Sequence, residues 1–263
     1  MSGPEPHAVA RVARGLRAAA LAAKDREDVG PLLLGLHPAS DRYYGSVAVP
    51  AAGVAPADVD ARVLSRARDA FAARGRRLRV ELVEQDVPGV ADALVALGLE
   101  VEARVPLLVC APQDLVAVDP PAGIGIEHIP SSADDEIVHE ALQAGRAAFA
   151  GAVDVTDDEV ARVAEIVLDG GLVAARDAFH RVVGSGFAMV PQEGVSEITA
   201  IGVDERARGQ GLGTALTSAI TAAAFAAGVE LAVLSPGDER AHGIYARVGY
   251  RPLADMVFLT DPA

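Results

Sequence analysis

The stretch "VDERARGQGLGTALTSAITAAAFAAG", residues 203–228, decides how the C-terminal half of this sequence is interpreted. It places three alternating glycines, Gly209, Gly211 and Gly213, directly before an alanine-rich run with the apolar spacing of a helix. A strand that turns through glycines into a helix presents unpaired backbone N–H groups at the positive end of the helix dipole. The stretch therefore predicts either a flexible turn or a site for an anion such as a phosphate.

Two common phosphate-binding motifs do not fit this turn. A P-loop needs a lysine followed by Ser or Thr after its last glycine, but Gly213 is followed by Thr214 and Ala215. A dinucleotide-binding motif needs Gly or Ala at position 214 and most of a βαβ fold downstream, whereas only 50 residues follow Gly213. The pattern that fits is Arg/Gln-x-x-Gly-x-Gly/Ala, which Arg208, Gly211 and Gly213 satisfy.

Residues 124–263 resemble the GNAT (Gcn5-related) N-acetyltransferase superfamily, and two linked motifs carry the resemblance. One is "EITAIGVDERARGQGLGTAL", and the other is "ERAHGIYARVGYRP", in which a tyrosine stands four residues before a glycine–aromatic pair. Either motif alone is weak, but their order and separation together are specific. The resemblance implies an α/β (α+β) fold with a mixed, mostly antiparallel central sheet flanked by helices. It also implies a splayed parallel strand pair that holds CoA.

The N-terminal half resembles a degenerate copy of the same fold. Aligning Gly98 with Gly249 pairs "LRVELVEQDVPGVADALVALGLEVEARVPLLV" with "VELAVLSPGDERAHGIYARVGYRPLADMVFL" almost without gaps. This match indicates a tandem duplication. In place of the glycine-rich turn the first copy has "VPAAGVAPADVDARV", and Leu94 stands in the place of Tyr245. Chemistry that needs those features therefore belongs to the C-terminal copy.

A proline-rich stretch, "APQDLVAVDPPAGIG", separates the two halves and predicts a domain boundary near residue 118. We predict a degenerate GNAT-like domain without a cofactor loop at residues 1–118 and a catalytic GNAT domain at residues 119–263. Hydrophobic periodicity predicts an amphipathic first helix over about residues 6–26, followed by strands at "PLLLGL" and "YYGSVAV".

The resemblance implies that acetyl-CoA, as cosubstrate, lies between the strands "SEITAIGV" and "VELAVL". Backbone groups of Ile201, Gly202 and Val203 would then pair with the pantetheine arm. The diphosphate would rest on backbone N–H groups of the turn, which are those of Arg208, Gly209, Gln210, Gly211, Leu212, Gly213 and Thr214.

Acetyl transfer to an amine needs two proton transfers, and the resemblance implies a residue for each. Tyr245 occupies the family position of the general acid, which protonates the departing thiolate, and a phenol with a reference pKa of about 10 can do this. The alternative is a core tyrosine on the apolar face of its helix. Glu197, at the start of the strand that leads to the cofactor, is the candidate base, and a structural or solvated glutamate is the alternative. His242 is either a proton shuttle or a surface residue.

Composition limits the partners and the compartment. The net charge of −14 argues against nucleic acid or an anionic membrane surface as a partner. One cysteine, Cys110, excludes an internal disulfide framework and a multi-cysteine metal site, so we expect no metal. No apolar run approaches the ~20 residues that a membrane-spanning helix needs, and a cytoplasmic location is expected.

Together these features predict an acetyl-CoA-dependent N-acetyltransferase that acts on a primary amine of a small molecule or a peptide. The amine would attack the thioester directly in a ternary complex. The alternatives are a CoA-binding sensor without turnover and a GNAT transferase that uses another acyl donor. The family resemblance implies that residues 133–168 set the acceptor, with Arg146, Phe149 and Asp154 as possible pocket residues. We expect a monomer or a homodimer.

Overall fold

The computed structural model describes residues 6–22, 24–37, 45–149 and 154–262. Contacts divide the chain into two compact units: one ends at Leu107 and resumes at Pro252, and the other is Leu108–Arg251. Both units combine helices with a sheet of parallel and antiparallel strands, which confirms the predicted fold class. The predicted domain limits, 1–118 and 119–263, refer to the two sequence copies and stay a prediction.

The first unit surrounds a hydrophobic core that includes Leu34, Leu64, Phe71, Leu94 and Val257. Its sheet has the strand order β1-β2-β3-β4-β11-β5, in which β3 and β4 are parallel. The elements are α1 (Pro6–Leu21), β1 (Asp25–Val29), β2 (Leu32–Leu36), β3 (Val47–Pro50), α2 (Ala61–Ala72), β4 (Arg79–Val83), α3 (Val90–Ala96), β5 (Glu100–Cys110) and the C-terminal strand β11 (Arg251–Thr260).

The first helix is shorter than predicted. α1 ends at Leu21, and residues 25–29 form strand β1, where the sequence pattern had predicted that the helix continues to about residue 26. β1 lies at the edge of the sheet beside β2, with Val29 as its buried residue and four exposed neighbours. A charged edge strand has no alternation of apolar residues, so periodicity does not reveal it. The predicted strand "YYGSVAV" begins outside the described residues, and β3 covers its end.

The second unit has the strand order β6-β7-β8-β9-β10, with the end of β5 beside β10. Alternate residues of β7 face two separate cores, because successive side chains of a strand point to opposite faces. Val173 and Ala175 pack with α6 and α7, whereas Leu172 and Ala174 pack with α4 and α5. The elements are β6 (Gly125–Ile129), α4 (Asp135–Arg146), α5 (Asp157–Ile166), β7 (Val167–Arg176), β8 (Val182–Met189), β9 (Val195–Val203), α6 (Leu212–Ala226), β10 (Leu231–Leu234) and α7 (Glu239–Val248).

The same order of elements occurs twice along the chain. The order α1-β1-β2-β3-α2-β4-α3-β5 is matched by α5-β7-β8-β9-α6-β10-α7-β11. Each copy also contains a parallel pair, β3 with β4 and β9 with β10, joined by one helix. This repetition agrees with the predicted tandem architecture, and it makes α2 the counterpart of α6.

Candidate active site

The parallel strands β9 and β10 part after a short pairing. Their register joins residues 195–197 to residues 231–233, while β9 continues to Val203. The last residue of β10, Leu234, pairs on its other side with Leu108 of β5. The pairing of β9 with β10 therefore ends at Glu197, and the stretch between the two strands beyond Glu197 is called the opening. The family resemblance implies a splayed strand pair here, and the short pairing agrees with it.

β9 is irregular beside this opening. Ala200 has a φ of 54°, and the register between β8 and β9 shifts between Ser185 and Phe187. A positive φ costs a residue with a side chain on the order of 1 kcal/mol. Within a strand it marks a bulge, which takes backbone groups out of the regular ladder. The irregularity directly precedes Ile201 and Gly202, two of the residues predicted to bind pantetheine.

Gly202 also lets α4 pack closely against β9. A Cβ atom at position 202 would overlap the carbonyl oxygen of Gly145, and one at position 145 would overlap Oγ of Ser185. Ser185 Oγ in turn donates to the carbonyl of Ala141 in α4. The end of α4 is thus held against β8 and β9, on the side of the predicted acceptor region.

The glycine-rich turn leaves a run of backbone N–H groups without a protein acceptor. Gly209 and Gly211 have φ values of 78° and 88°, a region that glycine adopts without strain. In the described part of the chain, no backbone or side-chain oxygen accepts from the N–H groups of residues 209–213. The N–H groups at either side are used: Arg208 donates to the Glu205 carbonyl at 3.3 Å and Thr214 to the Gly211 carbonyl at 3.0 Å. The free donors are therefore those of residues 209–213 at the start of α6.

Arg208 holds the turn in place through its side chain. Its Nε donates to the carbonyl of Val203 at 2.9 Å, and its Nη2 donates to the carbonyl of Ala148 at 3.0 Å. The guanidinium thus ties the turn to the end of β9 and to the chain after α4. The sequence pattern identified Arg208 by spacing alone and did not indicate these two carbonyl partners.

α7 lies against the turn and carries the predicted general acid. The side chain of Ile244 comes 3.6 Å from the position that a Cβ atom would take on Gly213. The next residue, Tyr245, is half-buried, and its ring meets the ring of Tyr250 edge-on at a centroid distance of 6.2 Å. Burial, and then the negative charge of Asp238, raise the pKa of Tyr245 above its ordinary value of 10.0. The phenol therefore stays protonated at neutral pH.

The other two predicted proton carriers lie at different places. Glu197 is exposed on β9 at the last paired position, opposite Val233, where the opening begins. His242 lies on α7 one turn before Tyr245 and is half-buried. Glu197 and the glycine-rich turn thus stand at opposite ends of the opening along β9.

Of the residues predicted to line an acceptor pocket, Arg146 is hydrogen-bonded within the protein and Phe149 is exposed. Arg146 donates two hydrogen bonds to Glu159, of 2.9 Å and 2.5 Å, and a third to the Asp154 carbonyl at 3.2 Å. Glu159 also forms a capping box with Thr156 at the start of α5, where its carboxylate accepts from the Thr156 N–H at 2.9 Å. Arg146 therefore connects α4 to α5, while the ring of Phe149 is 52% exposed.

A cavity of about 260 Å³ adjoins the glycine-rich turn on the side of β8. Apolar side chains, among them Ile124, Val183 and Leu212, form part of its wall, and Gln210 and Arg206 contribute polar groups. The carboxylate of Asp204, which also lines the cavity, accepts from the backbone N–H of Arg206 at 2.8 Å. The cavity thus combines an apolar wall with an exposed guanidinium beside the turn.

The corresponding turn of the first unit is filled by its own side chains. Asp60 precedes α2, and its carboxylate accepts from the N–H groups of Arg62 at 2.9 Å and Val63 at 2.8 Å. Arg17 of α1 donates to the Pro50 carbonyl at 2.7 Å, at the end of β3. The same guanidinium pairs with Asp86 just after β4 at 2.5 Å. The helix start is capped, and the ends of the parallel pair are bridged.

The described residues contain neither a cluster of metal-ligating side chains nor a helix that could span a membrane. In residues 6–22, 24–37, 45–149 and 154–262, no group of three or more His, Cys, Asp or Glu side chains is placed to hold a metal. None of the helices in these ranges has the length and apolar character to cross a membrane. Cys110 is buried on β5.

Comparisons with known proteins agree with this architecture. The acetyltransferase (GNAT) family profile matches residues 139–250. The structure of a GCN5-related N-acetyltransferase from Kribbella flavida is 34% identical, with a TM-score of 0.82, and the match covers 97% of this chain and 96% of the other. A GCN5-related N-acetyltransferase from Sphaerobacter thermophilus is 16% identical, with a TM-score of 0.64 and coverages of 98% and 94%. A tandem GNAT protein from the clavulanic acid biosynthesis pathway is 18% identical, with a TM-score of 0.59 and coverages of 89% and 80%.

No curated protein matches the sequence significantly. The two more distant structures share the fold, whereas the protein from Kribbella flavida shares a third of its residues over almost the whole length of both chains. With the family profile, this similarity shows that the chain belongs to the GNAT family of acetyltransferases.

Proposed function

We propose that the second unit transfers an acetyl group from acetyl-CoA to a primary amine of a small molecule or a peptide. Membership of the GNAT family implies acyl transfer from an acyl-CoA. The observation that carries the proposal is the run of N–H groups in residues 209–213, which have no acceptor in the described part of the chain and follow the end of β9 beside the opening. Consecutive N–H groups at a helix start bind a diphosphate well, because each donates to a phosphate oxygen and the helix dipole adds positive potential.

In this proposal the cofactor follows β9 from the turn towards Glu197. The diphosphate binds residues 209–213, and the pantetheine arm pairs with the backbone of Ile201, Gly202 and Val203. The bulge at Ala200 supports this placement, because it frees backbone groups at the edge of the strand. The acyl group then lies near the point where β9 and β10 meet, between Glu197 and the side of α7 that carries Tyr245.

The chemistry requires a neutral amine, a stabilised oxyanion and a protonated leaving group. Glu197 accepts the proton of the attacking ammonium, directly or through water. The nitrogen lone pair then forms a bond to the thioester carbon, and a backbone N–H of β9 stabilises the oxyanion. As the tetrahedral intermediate collapses, the C–S bond breaks and Tyr245 donates its proton to the thiolate of CoA. The raised pKa of Tyr245 keeps that proton available. The nitrogen loses its second proton to the resulting tyrosinate through water, which gives the neutral amide and restores Tyr245.

We further propose that one chain binds one CoA and needs no metal. The first unit cannot accept the diphosphate in the same way, because Asp60 already takes the N–H groups at the start of α2. Its carboxylate would also repel the phosphates. Arg17 bridges the ends of β3 and β4, where a pantetheine arm would have to enter. A cytoplasmic monomer or homodimer is the form we propose for the protein.

Two measurements test the function. Calorimetry with CoA should give one site per chain, and two equivalent sites would contradict the assignment of the units. Incubation with acetyl-CoA and a panel of primary amines should then release free CoA thiol only when an accepted amine is present. CoA binding without thiol release from acetyl-CoA or longer acyl-CoAs would instead favour a sensor. Faster release from a longer acyl-CoA would favour another donor, and failure to bind CoA would refute the proposal.

A further inference from the structure

Tyr250 is buried directly behind the proposed general acid. It is 3% exposed, and its hydroxyl lies 2.8 Å from Oγ1 of Thr221 in α6. Its backbone N–H donates to the Tyr245 carbonyl at 3.1 Å, and its ring meets the Tyr245 ring at an angle of 60°. Tyr250 therefore touches both the backbone and the ring of Tyr245.

The direction of the hydrogen bond between Tyr250 and Thr221 follows from the number of protons. The single hydroxyl proton of Thr221 is donated to the carbonyl of Thr217 at 2.7 Å. A threonine hydroxyl has one proton, so Thr221 Oγ1 must accept from the Tyr250 hydroxyl. Burial also raises the pKa of Tyr250 far above its ordinary value. The hydroxyl proton of Tyr250 is therefore held in the hydrogen bond to Thr221. Of the two tyrosines, Tyr245 is the one that can protonate a thiolate.

The hydrogen bonds of these α6 hydroxyl groups extend to the glycine-rich turn. The backbone carbonyl of Thr217 accepts from Thr221, and the hydroxyl of Thr217 donates to the carbonyl of Gly213 at 2.8 Å. Thr217 and Thr221 are both fully buried. Three hydrogen bonds thus link the hydroxyl of Tyr250 to Gly213 in the turn, through the hydroxyl of Thr221 and through the backbone carbonyl and the hydroxyl of Thr217. Buried hydrogen bonds of this kind resist rearrangement, because breaking one leaves an unsatisfied polar group.

The chain on the other side of Tyr250 is also fixed. Gly249 ends α7 with a φ of 105°, and a Cβ atom there would overlap the carbonyl oxygen of Asp114. The carbonyl of Val248 accepts from the N–H of Val116 at 3.0 Å. The two residues before Tyr250 therefore contact the segment after β5, while the Tyr250 hydroxyl is bound to α6.

We propose that Tyr250 is a positioning residue, which acts with Thr221 and Thr217 to fix the ring of Tyr245 relative to the diphosphate-binding turn. The inference rests on the proposed role of Tyr245 as the general acid. A general acid gains its effect only when its proton reaches the leaving atom in the right geometry, and small displacements are costly. Tyr250 touches no reacting atom in this scheme, so its effect on turnover passes through Tyr245.

Three single variants test the proposal. Tyr250→Phe keeps the ring but removes the hydroxyl, and Thr221→Val removes the acceptor. Ser218→Ala is the matched control, because it deletes another buried hydroxyl of α6, one that bonds the backbone of Val116 and Val118. Turnover of acetyl-CoA is measured with the best amine of the panel, or with water where no amine is accepted. Tyr250→Phe and Thr221→Val should lower kcat roughly tenfold at an unchanged KM for acetyl-CoA, and Ser218→Ala should not.

The double variant separates positioning from a general loss of structure. In a Tyr245→Phe background, Tyr250→Phe should cause no further loss of kcat, because the group that it positions is already absent. A further loss of tenfold in that background would overturn the proposal. If Tyr245→Phe itself leaves kcat unchanged, the general-acid role fails, and this outcome is distinct from a failure of positioning.

A second readout does not depend on turnover. NMR of protein labelled at the tyrosine ring carbon that bears oxygen follows the titration of the phenol of Tyr245, assigned with Tyr245→Phe. In Tyr250→Phe and Thr221→Val the pKa of Tyr245 should move towards its ordinary value of 10.0, because the released ring gains contact with water. It should be unchanged in Ser218→Ala. An unchanged titration of Tyr245 in Tyr250→Phe would overturn the proposed positioning, whatever the kinetics show.

Discussion

Replacing Gly211 by aspartate tests whether the free N–H groups of the glycine-rich turn bind the diphosphate of CoA. A Cβ atom at position 211 would meet no other atom within 4 Å, so the new side chain has room. The φ of 88° is strained for residues other than glycine, at a cost on the order of 1 kcal/mol, but Asp and Asn tolerate it better than most. Gly211→Asn is therefore the matched control, with nearly the same shape and strain and no charge.

The two variants differ in the negative charge that aspartate adds at position 211. A carboxylate about 6 Å from a diphosphate with two negative charges costs roughly 1.4 kcal/mol in bulk water and roughly 5.5 kcal/mol at an effective dielectric constant of about 20. These energies correspond to losses of affinity of about tenfold and about ten-thousandfold. The aspartate can also take the N–H groups for itself, as Asp60 does at the start of α2. We therefore expect Gly211→Asp to bind CoA at least tenfold more weakly than Gly211→Asn.

Calorimetric titration with CoA measures the difference, and thermal melting shows whether both variants are folded. The difference in CoA affinity between Gly211→Asp and Gly211→Asn should become smaller as the salt concentration rises, because screening weakens repulsion between exposed charges. Equal affinities of two well-folded variants for CoA would refute the placement of the diphosphate on this turn.

Three further predictions concern single side chains. Glu197→Gln should lower kcat about a hundredfold without changing CoA affinity in calorimetry, and an unchanged kcat would remove Glu197 from the mechanism. Arg206→Ala should weaken binding of CoA about tenfold but not of dephospho-CoA, because the guanidinium beside the turn can pair with the 3′-phosphate, and equal losses would exclude that pairing. Burial raises the pKa of Cys110 from 9.0 to about 11, so its contribution to stability is present below pH 9 and is lost as the pH rises to about 11. In urea unfolding at pH 8 and 10.5, Cys110→Ala should therefore lose less stability between the two values than the natural chain, and an equal loss would contradict this.

The sequence predicted well those features whose local geometry follows directly from the spacing of nearby residues. Alternating glycines before a helical run imply a turn with positive φ values, and Gly209 and Gly211 adopt them. The motif "ERAHGIYARVGYRP" places Tyr245 on a helix, and the structure has this helix at Glu239–Val248. Local patterns of this kind depend on residues a few positions apart, so a single sequence contains all the information they need.

Contacts between distant segments were not predictable in the same way. Arg208 bonds carbonyl groups that lie 5 and 60 positions away, and Arg17 bonds groups 33 and 69 positions away. Nothing in the composition around Ala200 indicates its positive φ, which the neighbouring strands impose. The sequence pattern did not predict strand β1, because its four exposed residues are all charged. Its antiparallel pairing with β2 defines it as a strand. Tertiary contacts rather than local preference decide these features.

The residue before the helix differs between the two copies, and under the proposed function this difference exchanges ligand binding for stability. An aspartate in the position of Asp60 satisfies the first N–H groups of its helix from within the chain, which stabilises such a helix by about 1 kcal/mol. Gly211 has no side chain that could do this for α6: in the described part of the chain the N–H of Gly213 has no protein acceptor, and that of Thr214 donates to the Gly211 carbonyl. Under the proposed function, binding of CoA to this turn would stabilise the folded chain in proportion to the logarithm of the CoA concentration. The copy with the glycine would then depend on bound CoA for this part of its stability, whereas the copy with the aspartate would not.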